Sequence, residues 1–281
     1  MTSSGAITAP VTARRRARTL ARSVGPPALA AGTGIGIWYL SSYLQFTDPR
    51  RRAIVQPLPH DVVRTGFLET RNLTEMLRAL WETAQVALVG LALAISIGVL
   101  LAILMGLSRS VERTLFPYAI VLQTVPIVAI TPLMIIWFGT GKLPRVIVCV
   151  IIAVFPIITN TLLGLKAAER AQHDLFTLHG AGRLTRLWKL ELPASTPAMF
   201  TGFRISAGLS VIGAIVGEFF FKSGEEGIGR RISQYTNRNE TDKLIAAIIL
   251  TGALGLVLFL LFGWLGNRIT RSWRPQAGAS G

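Results

Sequence analysis

The sequence predicts an all-α, polytopic integral membrane protein with about six transmembrane helices. Three observations carry that expectation. Of the 281 residues 51% are hydrophobic and the mean hydropathy is +0.51, too apolar for an ordinary water-soluble domain. The apolar residues come in blocks, several of them near the ~20 residues that carry a helix across a hydrocarbon core of ~30 Å. The longest polar segment of the second half, Asp174 to Pro197, reads as two short helices about a glycine.

Charge narrows the class further. The chain has 29 Lys and Arg against 14 Asp and Glu, a net charge of +15. On a soluble protein this would suggest nucleic acid. Here the bases sit beside apolar runs, where membrane topology accounts for them, and no nucleic-acid partner is expected. Cys149 stands alone inside an apolar run, and His60, His173 and His179 are scattered. That pattern offers no disulfide framework, no metal cluster and no cofactor site.

Residues 1–25 hold Arg14, Arg15, Arg16, Arg18 and Arg22 without one acid, and read as a disordered basic tail on the cytoplasmic side. The first span is Pro26 to Leu44. A cleavable signal peptide is the rival reading, but no small-x-small site closes the run. Residues 45–82 are mixed in charge and form an external segment, with Asn72 to Trp81 a candidate interfacial helix. The later spans are Thr83–Gly106, Thr114–Phe138, Arg145–Leu165, Ala198 to about Phe220, and Lys243–Gly266. Phe221–Asp242 reads as a polar loop, and residues 271–281 as a C-terminal tail. Six spans put both termini on one side. The loop bases divide almost evenly between the two sides, so the arginine cluster before the first span decides the orientation, with Arg268, Arg271 and Arg274 in support. Both termini and the Asp174–Pro197 stretch are then cytoplasmic.

Within that stretch Gly180 breaks the first short helix, because glycine takes left-handed angles at low cost. The second helix, Arg183 to Leu192, has Leu184, Leu187, Trp188 and Leu192 on one face and Arg183, Arg186 and Lys189 outside it. Pro193 is expected to stop it. An apolar-faced hairpin at a membrane surface suits docking on another protein.

These residues resemble the EAA coupling loop of ABC importer permeases: Glu-Ala-Ala, three residues, Gly, nine residues, an aliphatic residue, one more, then Leu-Pro. Asp174, Leu175 and Phe176 stand at the Glu-Ala-Ala positions, so the acid is kept and both alanines are replaced. Gly180, Ala181, Leu190, Leu192 and Pro193 follow in register. In the third span Pro126, Ala129, Pro132, Leu133, Trp137, Phe138 and Gly139 are similar to permeases of the nitrate/sulfonate/taurine importers. So is the order Thr201-Gly202-x-Arg204-Ile205, Gly217-Glu218, Gly227-Ile228-Gly229, Thr241-Asp242. The likeness runs from about residue 80 to 270, giving a type I importer permease domain at 83–270 with its coupling loop at about 169–197.

The resemblance implies that the third span lines the translocation path, with Gln123, Thr124, Pro126, Thr131 and Pro132 as candidates. Prolines in a span free carbonyls that need protein or water; a merely kinked helix is the alternative. Gly213 and Gly217 form a small-xxx-small pair, suited equally to intrachain packing and to a dimer face. Glu218 ends the fifth span and has two readings: a carboxylate well inside a bilayer is costly and usually functional, and one two residues from a polar loop is simply wet. Arg204 is expected to reach back to the cytoplasmic face. No phosphate-binding G-x-x-x-x-G-K-[ST] loop and no membrane-enzyme constellation occur in the sequence. The resemblance implies as partners a separate ABC ATPase subunit, an extracytoplasmic solute-binding protein and a second permease copy, in a bilayer. A secondary transporter or channel is the rival class. Sulfonates, taurine or nitrate lead as solutes, with pyrimidine-type vitamin precursors as the alternative.

Overall fold

The computed structural model describes residues 11–221 and 226–270, with side chains from Gly25 onward. Among them there is no strand. Twelve helices follow: α1 Val11–Gln45, α2 Pro49–Val55, α3 Pro59–Val63, α4 Thr70–Leu107, α5 Arg109–Thr124, α6 Ile127–Phe138, α7 Lys142–Leu165, α8 Arg170–Leu178, α9 Arg183–Arg186, α10 Leu192–Phe220, α11 Ile228–Asn237 and α12 Thr241–Thr270. Helix α1 takes in residues 11–25, which the sequence reading left without structure; residues 1–10, 222–225 and 271–281 lie outside the described part.

Four helical stretches are long and apolar enough to cross a membrane: Thr70–Leu107, Lys142–Leu165, Arg183–Phe220 and Thr241–Thr270. A fifth crossing is the pair α5–α6, bent by 97°. The first expected span, 26–44, lies inside α1, which is less apolar than these.

Three boundaries differ from the expectation, each for a physical reason. The candidate interfacial helix at 72–81 and the span at 83–106 are one 38-residue helix, α4. Nothing between Thr70 and Val89 is a Gly or Pro, so no residue stops it, and at 1.5 Å per residue it is ~57 Å long. It therefore projects well past the bilayer. The third span is broken at Val125–Pro126. Proline lacks the N–H for the Leu122 carbonyl and drives the preceding residue out of the helical region; Val125 accordingly sits at ψ 124°. Pro193 does not end its helix. A π turn, Leu187–Glu191, precedes it, and the Leu192 N–H bonds to the Leu187 carbonyl. The turn leaves Pro193 in the first turn of α10, where a missing N–H costs least. The second arm of the hairpin and the fifth span are thus one continuous helical run, Arg183–Phe220.

The core lies where α4, α7 and α10 cross, with α12 packed on α10. Ala87, Ala94, Ala153, Ala207 and Ala214 are fully buried there. In lipid the hydrophobic effect gives helices no reason to associate, so small residues that let backbones approach supply the packing. Two polar ends result. At one, the Arg183 guanidinium donates to the Gly106 carbonyl at 3.4 Å and Lys166 pairs with Glu112. At the other, Lys142 pairs with Glu82 at 3.0 Å and Arg231 approaches Glu75. The α5–α6 pair starts beside Glu112 and delivers the chain to Lys142, so it crosses from one end to the other rather than returning.

Candidate coupling hairpin and translocation face

The hairpin is built locally. Helix α8 opens with the Glu169 N–H donating to Gln172 Oε1 at 3.2 Å. It closes with the Gly180 N–H on the Thr177 carbonyl at 3.0 Å and the Ala181 N–H on the Phe176 carbonyl at 2.9 Å. This pair of bonds is a Schellman closure, which needs a left-handed residue, and Gly180 has φ +64°. Space around Gly180 is open, so its backbone angle alone excludes other residues. Arg186, expected on the outer face, bridges the two arms instead: its Nη2 donates to the Thr177 hydroxyl at 3.0 Å.

Leu187 and Leu190 are buried and anchor the second arm, and Leu192 and Pro193 are half-buried. Asp174 is exposed. The tip carries apolar side chains with nothing over them: Leu175, Leu178, Leu184 and Trp188 are 52%, 84%, 64% and 67% exposed. The expected apolar stripe is therefore divided. Leu187 turns to the protein, while Leu184 and Trp188 turn outward.

The third-span candidates separate as well. Gln123, Thr124 and Pro126 are exposed at the 97° bend, where Thr124 donates to the Val121 carbonyl at 3.0 Å. Thr131 is buried, its hydroxyl on the Ile127 carbonyl at 3.2 Å, and Pro132 is exposed. Helix α6 rests on α7 through Met134, which packs with Val148 and Phe221, and leaves Ile136, Trp137 and Phe138 uncovered. Gly213 and Gly217 lie at the contact of α10 with α7. A Cβ there would stand 2.8 Å from Cys149 Cα and 3.1 Å from Arg145 Cα.

The opposite end of the bundle holds a group that the sequence left open between a functional carboxylate and a wet one. Glu218 is buried, 1% exposed. Its carboxylate accepts the Thr83 hydroxyl at 2.7 Å and the Gly229 N–H at 2.7 Å, and the Ile228 N–H donates to Thr83 Oγ1 at 2.9 Å. Arg145, also buried, supplies an opposite charge and donates to the Phe221 carbonyl at 2.7 Å. A Cβ on Gly227 would overlap the carboxylate. Helices α4, α7, α10 and α11 thus meet at one buried polar knot. Helix α11, expected as loop, carries Arg230 and Arg231 beside Glu226. It borders a cleft of about 520 Å³ lined by Glu75, Arg78 and Glu82 of α4. The sequence signals for α11 were the Ile228, Ile232, Tyr235 spacing and the two glycines. Arg204, expected to reach for the cytoplasmic face, has its Cζ 3.8 Å from the centre of the Phe259 ring.

Crossing helices, a projecting apolar-tipped hairpin at one end and a charged cleft at the other define a polytopic membrane protein of the permease class. The chain belongs to the binding-protein-dependent transport system inner membrane components, whose family model matches residues 94–271. It is 34% identical over 222 residues to a formylaminopyrimidine transport permease protein of Halalkalibacterium halodurans, covering 78% of this chain and 86% of that one. It is 31% identical over 255 residues to a nitrate import permease protein of Leptolyngbya laminosa, covering 90% and 89%. The fold is similar to a chain of the inward-facing MetNI methionine ABC transporter, with a TM-score of 0.59 and 19% identity, over 74% of this chain and all of that one.

Proposed function

We propose that this chain is the permease subunit of an ATP-driven importer and that it couples to a separate ATPase through the Gly180 hairpin. One observation carries the reading: four large apolar side chains on a rigid, Schellman-closed hairpin, uncovered at the polar end of a continuous helix that enters the core. A rigid connection of this kind transmits motion. When the docked ATPase pair closes on ATP, the hairpin is displaced, and α10 shifts against α7 and α4. The bent α5–α6 pair, attached lightly to α7, is the element that responds, turning the path from inward- to outward-open. The working unit is a pair of permease copies, the hairpin end is cytoplasmic, and a binding protein delivers the solute to the opposite end. The relatives' names support small solutes of the nitrate or pyrimidine-precursor kind.

The test is Gly180→Val. A β-branched residue at φ +64° costs ~1–2 kcal/mol, so the hairpin re-closes at another angle and no apolar span is touched. The variant is expected to reach the membrane at parental abundance and to lose co-purifying ATPase by about tenfold, with transport lost in parallel. Arg50→Gln, exposed on α2 and off the hairpin, is the control and leaves both unchanged. Parental assembly and transport by Gly180→Val would remove the hairpin from the mechanism.

A further inference from the structure

We propose that the notch between α10 and α12, at the hairpin end of the molecule, binds the phosphate of an anionic phospholipid headgroup, with Arg204 as its charged contact. The notch is a cavity of about 170 Å³ that runs along the two helices from Arg204 and Gly263 to Pro197 and Thr270. Arg204 is the sole charged residue lining it, and no carboxylate among the described residues pairs with that guanidinium. Its one aromatic contact is the Phe259 ring, whose centre lies 3.8 Å from Cζ. A ring contact at Cζ takes up no N–H donor, and the guanidinium fork is the shape that grips two phosphate oxygens.

The other polar groups agree with an acceptor ligand. The Thr201 and Thr270 hydroxyls already donate to the Pro197 and Gly266 carbonyls, so they bring no free proton. Asn267 is exposed and has an amide to give. It lies one helical turn, about 6 Å, from Gly263 toward the end of α12. Phe200 and Phe262 make the remaining walls apolar. A site that joins an unpaired cation, an amide donor and apolar walls, set between two spans near their polar end, suits a phosphate that carries acyl chains better than a free ion. Gly266 lets the two helices approach beside the notch, since a Cβ there would stand 2.8 Å from Phe200 Cβ.

Retained lipid is measured by native mass spectrometry on full-length protein exchanged from detergent into vesicles of phosphatidylglycerol or phosphatidylcholine, with inorganic phosphate alone as a third arm. The parent is expected to retain phosphatidylglycerol and neither of the others. Arg204→Gln lowers that retention by about tenfold, the effect of losing one charge-assisted pair. Asn267→Leu, which leaves the guanidinium in place, lowers it in part and keeps the test open if Arg204→Gln does not fold. Arg268→Gln, one position beyond Asn267 and stacked on Trp264, leaves it unchanged. Equal retention by the parent and Arg204→Gln overturns the site. Equal loss in Arg204→Gln and Arg268→Gln reduces it to diffuse surface charge. Protection by inorganic phosphate as strong as by phosphatidylglycerol overturns the lipid assignment in favour of a soluble oxyanion.

Discussion

The Glu218 carboxylate is held from three directions: the Thr83 hydroxyl, the Gly229 N–H at the start of α11, and the positive charge of Arg145. Glutamine keeps the shape but turns an amide N–H toward groups that themselves donate. A buried donor left unmatched costs about 1–3 kcal/mol, and removing one partner of a buried opposite-charge pair about 3–5 kcal/mol. Glu218→Gln is therefore expected to lower the thermal midpoint of the purified protein and to loosen α11 before the rest. Hydrogen exchange at the α11 amides reads this directly; undiminished protection there would mean that something else holds the helix. Gly227→Ala attacks the same point from the other side, because its methyl meets the carboxylate. In a Glu218→Ala background that methyl has space, so the second substitution costs less than in the parent. The sequence displayed Glu218 and the glycines but not their closure. A carboxylate two residues from a polar loop reads as solvated until Thr83, 135 positions earlier, is known to lie over it. Gly180 was legible for the opposite reason: its left-handed angle is set by bonds within five residues.

At the scale of an element, the α5–α6 pair shows how much a proline tells and where it stops. Pro126 and Pro132 mark a helix that needs partners for freed carbonyls, and the sequence supports that much. It gives neither the 97° bend at Val125 nor the inward turn of Thr131. Both follow from how α6 lies on Met134 and Val148, which is decided by α7. Pro193 was read as a stop and is instead absorbed by a π turn, a choice that depends on Leu187 and Leu190 being anchored in the core. The bend has an accessible consequence. In a Cys149→Ala background, single cysteines at Gln123 and Thr124 are expected to react quickly with small water-soluble thiol reagents. Thr131→Cys, whose side chain is 4% exposed, is expected to be the slowest of the three. Equal protection of all three would make the bent pair a closed structural kink facing lipid or protein, with no water beside it.

For the whole molecule the two polar ends define an axis, and the remaining question is which end meets the cytoplasm. The architecture constrains it, because α10 joins the hairpin to the Glu218 knot without a break in direction, so Thr185 and Glu226 must lie on opposite sides of any bilayer that α10 crosses. Charge then assigns the sides. At the hairpin end of the described residues Arg109, Arg113, Arg170, Arg183, Arg186 and Lys189 lie close to helix termini. At the other end some bases meet acids, as in the pairs of Glu82 with Lys142, Glu75 and Glu226 with Arg231, and Glu240 with Lys243, while others, such as Arg50 and Arg64, do not. Bases flanking the spans are retained inside during insertion whether or not acids lie near them, so the arginines before the first span, with those flanking the hairpin, assign the sides. The orientation predicted is hairpin inside and α11 outside. Single cysteines at Thr185 and Glu226, again without Cys149, report it through an impermeant maleimide. In intact cells the Glu226 position should label and the Thr185 position should label only after permeabilisation. The reverse pattern would turn the molecule over and take the hairpin away from any cytoplasmic ATPase. Labelling of both positions in intact cells would mean that α10 does not cross, and the apolar girdle of α4, α7 and α12 would then have to be seated in the bilayer some other way.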